Sequence, residues 1–166
     1  MVKDPFERIA AVTTSNNERD VLEAFLDHYR DTIANGLDGL DETQARTRLV
    51  PSLTTPIGLV SHCAADERSW FQYVLDGRPW EEIDGPRSSQ DASWQVPGDV
   101  RIPDVIAAYC ATCAESRAIA ARFALDDEIA FDDRRVTLRW IYVHMIEELA
   151  RHAGHADILR EQLTSP

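Results

Sequence analysis

Basic residues are scarce in this chain, and lysine is nearly absent. Lys and Arg together number 17 against 29 Asp and Glu, and Lys3 is the only lysine. The resulting net charge of −12 leaves no basic footprint for tracking phosphates, which excludes nucleic acid as a partner. It equally disfavours an anionic membrane surface. No apolar run is long enough to span a bilayer. The first twenty residues lack the basic start and apolar core of a signal peptide, so the expected location is the cytoplasm. The three cysteines, Cys63, Cys110 and Cys113, are too few for a disulfide framework. Cys110 and Cys113 have C-x-x-C spacing but lack the second pair of a zinc ribbon and the strand-to-helix setting of a redox motif. They are expected as small core residues.

What the chain does have is a long periodic stretch from Leu138 to Leu163. Leu138, Ile141, Met145, Leu149, Ala156 and Leu159 recur at steps of three and four, which places them on one helical face. His144, Glu148 and His152 are also four apart, and His155 is three further on, so the four stack along one line beside that face. Ionisable groups beside a core are costly unless paired or bound to a metal. Imidazole and carboxylate suit a divalent transition ion, zinc or nickel among them. Two ligands from one helix need a third from another, and helical bundles build metal sites from facing helices.

Read in order, residues 1–16 form a loosely ordered lead-in to a single domain spanning 1–166. Asn16 or Asn17 caps a first helix over about 18–35, with Val21, Leu22, Phe25, Tyr29 and Ile33 as its buried stripe. His28 is expected there as a partly exposed histidine. Asp41 and Gln44 form a capping box over a short helical turn. Thr54 or Thr55 followed by Pro56 starts a second helix reaching Leu75. Ile57, Val60, Cys63, Ala64, Phe71 and Val74 form its apolar face, and His62 sits at the edge of that face as the candidate third ligand. Asp66, one turn on, either orients His62 or lies solvated, the solvated reading being preferred. Residues 77–103 make a long connection, a wall over the site or a plain crossover, with Trp80 and Trp94 docking parts of it. A third helix runs over about 104–123. An acidic, solvated connector without strand signal follows, and Thr137 caps the fourth helix. The fold expected is all-α, a four-helix bundle with the long connection between helices 2 and 3.

Three stretches, TTPIGLVSHCAADERSWF at 54–71, AAYCATCAESRAIA at 107–120 and TLRWIYVHMIEELARHAGHADILRE at 137–161, resemble the DinB-like superfamily. The branch they are most similar to is the one related to mycothiol-dependent maleylpyruvate isomerase and thiol S-transferases. The resemblance implies a bundle that holds a divalent metal through His62, Glu148 and His152. It removes His144 from the ligand set and leaves His155 beside it; both remain candidates for moving protons. It further implies mycothiol as co-substrate, a small electrophile as second substrate, and a homodimer. The isomerases carry a further C-terminal domain, so isomerisation is not the reaction expected of residues 1–166.

The function expected is therefore a metal-dependent S-transferase that activates a low-molecular-weight thiol at a His2Glu site. A non-catalytic metal- or ligand-binding sensor bundle is the alternative. A metal-free network of buried histidines ranks last, since such a network is costly unless every member is satisfied.

Overall fold

The computed structural model describes residues 7–164. Of the loosely ordered lead-in, residues 1–6 lie outside this range. The rest contains a helical turn, α1 (Glu7–Ala10), packed on the next helix. That helix, α2 (Glu18–Ala34), starts at Asn17, whose side chain accepts from the Arg19 amide. α3 (Glu42–Ala45) is capped by the reciprocal Asp41–Gln44 box. α4 (Pro56–Glu67) begins with Thr55 accepting from Gly58 N–H and proline in the first turn. It continues without a break into a π-helical stretch over Arg68–Leu75. α5 (Ile102–Ala120) has its first amide bonded to the Glu42 carboxylate. α6 (Leu138–Thr164) begins with Thr137 Oγ1 accepting from Trp140 N–H.

The chain is thus mostly helical. α2 packs on α6, and α4 packs on both α5 and α6. The apolar positions read from spacing on α6 and on α4 are buried. Arg19 ties the layers together by donating to the carbonyls of Ala120 and Phe123 at the end of α5. Among the described residues no helix is long and apolar enough to cross a membrane.

Four expectations are corrected. The acidic connector is not strandless: β1 (Glu128–Phe131) pairs antiparallel with β2 (Arg134–Thr137). The two-residue turn between them places Asp132 at φ 52°, a left-handed conformation that aspartate tolerates and that short hairpins require. The α2 stripe also differs, with Leu26 and Arg30 buried beside Ile33. His28 is buried rather than partly exposed. Of the two cysteines expected in the core, Cys113 is buried but Cys110 faces outward.

Arg30 is buried because it has a buried partner. Glu67 is 0% exposed and Arg30 4%. The guanidinium donates through Nε and Nη2 to both carboxylate oxygens at 2.7 Å, and Nη1 donates to Asp27 at 3.0 Å. This two-pronged pairing satisfies charges that α2 and α4 would otherwise strand in the core. Arg30→Met leaves the Glu67 charge unpaired and is expected to cost about 3–5 kcal/mol in urea unfolding. The double variant Arg30→Met, Glu67→Met is expected to recover most of that loss.

Candidate metal centre

α4 and α6 run antiparallel along one seam, and their polar lines meet there. The His62 and His152 rings stand 5.0 Å apart and nearly perpendicular, at 85°. Asp66 lies one turn beyond His62, with its Oδ2 3.4 Å from His62 Nε2. One ligand atom from each of His62, Asp66 and His152 lies within 4.8 Å of the others, and all three residues are buried. Asp66 is therefore not solvated. Its Oδ2 and both ring nitrogens of His152 are buried without a hydrogen-bond partner. Leaving such atoms unpaired costs roughly 1–3 kcal/mol each, more if charged. A divalent cation among them would remove that cost, so the donor set fits a metal ion.

The protonation states suit the same role. Burial, and for His62 the nearby His152, lowers the pKa of each imidazole to about 4. Both rings are then neutral at physiological pH, the form that ligates metals. Burial pushes the Asp66 carboxyl up to about 7; a hydrogen bond from Ser88 opposes the shift, and the Glu148 and Glu67 carboxylates add to it.

The 77–103 connection, which holds 3₁₀ turns at Trp80–Glu82 and Asp91–Trp94, fixes His62 from outside the helices. Ser93 Oγ lies 2.9 Å from His62 Nδ1 and 2.7 Å from the Gln90 carbonyl. The hydroxyl has one proton, and the carbonyl can only accept. With that proton given to Gln90, Ser93 Oγ accepts from Nδ1–H, and His62 Nε2 keeps its lone pair toward Asp66 and His152. The partner of the non-ligating nitrogen sets a histidine's tautomer in metal sites in this way. Trp94 stacks on the same ring, 3.8 Å between centroids and 15° between planes. Gly58 makes room for this docking, since a Cβ there would stand 2.4 Å from the Trp94 carbonyl oxygen.

The other stripe residues are spread along α6. Glu148 is partly buried at the rim. Its Oε2 is 3.8 Å from His152 Nε2, and both its oxygens accept from Arg151 Nη1 at 3.1 and 3.0 Å. Arg151 is exposed, so this ion pair is weak and yields easily. His155 is exposed, with its ring 5.8 Å from that of His152. His144 is partly buried against Trp70, 4.4 Å between centroids, and burial lowers its pKa. Spacing alone does not reveal Ser93, which is one serine in a loop rich in them. The adjacent Trp94 was the available signal.

Replacing glycine by alanine inside a helix ordinarily stabilises by about 1 kcal/mol. Gly58→Ala is expected to do the reverse, with a lower melting temperature, a shifted Trp94 indole signal in NMR, and faster proteolysis within 77–103. A second outcome concerns protons. At pH 6 both imidazoles are neutral and the Asp66 carboxyl holds its proton, which the charge of an arriving cation expels. Calorimetry in buffers of different ionisation enthalpy is expected to find about one proton released per ion at pH 6. Little should be released at pH 8, or in Asp66→Asn at either pH. Without metal, the two depressed imidazoles contribute stability above their ordinary pKa of 6.5, and this is lost as pH falls toward about 4.

No curated protein matches the chain. The family model described as Mycothiol-S-transferase matches residues 21–165, a span that takes in the seam, the strap that residues 77–103 make over it, and the long helices apart from the first three residues of α2. The chain thus belongs to the mycothiol-S-transferase family.

Proposed function

We propose that the protein transfers a low-molecular-weight thiol, mycothiol, to a small electrophile at a metal site held by His62, Glu148 and His152. The four long helices serve as a four-helix bundle that presents these ligands. The observation that carries the reading is the set of buried nitrogen and oxygen atoms without partners between α4 and α6, in a chain of this family. Asp66 groups with both histidines, one ligand atom of each lying within 4.8 Å of the others, whereas Glu148 approaches His152 at 3.8 Å from outside that group. Asp66 is the alternative carboxylate ligand, or a neighbour that holds the proton exchanged on binding.

A divalent ion there, zinc or nickel, supplies the positive charge that makes a thiol ionise at neutral pH. The reaction forms a bond from the thiol sulfur to the electrophilic carbon. The leaving group departs with its electron pair, and the thiol proton passes to a base. His155, exposed and with its ring 5.8 Å from that of His152, is the candidate to hand that proton to water. His144 is enclosed by Trp70 and Trp140 and is less suited to the task. Ser93 and Trp94 keep the His62 ring in one orientation, so that binding does not have to order it.

The test combines elemental analysis with turnover, on protein purified without a metal-binding tag. Wild type is expected to hold about one equivalent of metal and to conjugate mycothiol to 1-chloro-2,4-dinitrobenzene. His62→Ala and His152→Ala are expected to lose both metal and turnover. Glu148→Ala is expected to lose more metal than Asp66→Asn, and the opposite order would make Asp66 the ligand. Full metal content without conjugation of any thiol would leave the non-catalytic binding bundle.

A further inference from the structure

The register that joins His62 to His152 continues past the metal layer. Two turns further along α4 and its π-helical extension stands Trp70, and two turns back along α6 stands His144. Their rings meet at 4.4 Å. Trp140 stacks on His144 at 5.0 Å with planes 7° apart, and Trp70 also touches Trp140 at 5.4 Å and Phe131 of β1 at 5.0 Å. Four rings from three elements thus form one layer, about 12 Å along the helices from the histidine pair. Asp66 and Glu148 lie midway between the two layers.

This layer is not closed over. Trp140 is 44% exposed and its neighbour Val143 53%. One face of Trp140 is taken by His144, and the rest of its exposed surface adjoins Val143 at the end of the polar seam, where exposed apolar surface marks a candidate binding site. The rings are electron-rich on their faces. The complementary ligand is a planar, electron-poor ring, which is the chemistry of an aromatic electrophile. A ring resting here would extend toward the carboxylate pair and the histidines beyond it.

We infer that Trp70, Trp140, His144 and Phe131 form the subsite for a planar conjugated electrophile, continuous with the metal layer. The inference rests on the transferase reading for its meaning, but binding can be measured without turnover. The probe is 2,4-dinitroaniline, a flat nitroarene with no leaving group for a thiol to displace. The chain has four tryptophans, so four indole N–H signals report on it in NMR. The signals of Trp70 and Trp140 are expected to move on titration, with and without metal, while that of Trp80 stays still. Trp140→Ala is expected to weaken binding about tenfold. Trp140→Phe should keep most of it, and Tyr73→Ala, outside the layer, all of it.

In turnover, Trp140→Ala is expected to raise KM for the chlorodinitrobenzene while leaving KM for mycothiol and the rate with iodoacetamide unchanged. Probe binding in a protein that conjugates nothing would sink the transferase reading and keep the subsite. Turnover with no movement of the Trp70 and Trp140 signals, or equal probe binding by wild type and Trp140→Ala, would overturn the subsite. A dimer that becomes a monomer in Trp140→Ala would also overturn it, by giving this face to a second copy of the chain.

Discussion

The architecture depends on a costly act, the burial of imidazole nitrogen and carboxylate oxygen between α4 and α6. In a seam built for stability alone those positions would be apolar. Here the polar atoms are held in place by everything around them. The apolar face of α6 sets its rotation. The unbroken run from Pro56 to Leu75 sets the height of His62 and Asp66, and the strap sets the ring plane of His62. Glu67 lies directly after Asp66 in sequence and, about 100° further round the helix, pairs with Arg30 of α2. α4 thus carries a charged anchor beside its donor atoms, and its rotation is determined from both.

The strap shows how a segment with little regular structure can still be well placed. Trp80 and Tyr73 pack edge to face, with Arg87 over both rings. Ser88 meets Ser69. Ser93 and Trp94 meet His62, and Arg46 donates to the carbonyls of Val96 and Val100 near its end. Each attachment is made by a side chain, to a helix or, for Arg46, from the residue that caps the end of α3.

Periodicity carried a good part of this into the sequence. The α6 face, the caps at Asn17, Asp41, Thr55 and Thr137, and the polar line containing His152 all follow from steps of three and four or from local hydrogen bonds. What escaped depends on partners remote in the chain. Asp66 looks like any surface carboxylate until His152 arrives beside it, and Arg30 looks solvated until Glu67 is found 37 residues away. The hairpin at 128–137 was hidden because its strands are four residues each and heavily charged, so alternation had little length in which to appear. Cys110 and Cys113 sit on one helix, yet only Cys113 faces inward, because three residues turn a helix by less than a full circle.

The division of labour between helices and strap bears on how such a protein can change over generations. The donor atoms belong to two rigid helices whose rotations are fixed by core packing, so drift there disturbs the fold and the buried donor set together. The strap is fastened at separate points, and the stretches between them can be lengthened, shortened or recomposed without disturbing either helix. A lineage could therefore alter which molecules reach the seam while inheriting the seam itself unchanged.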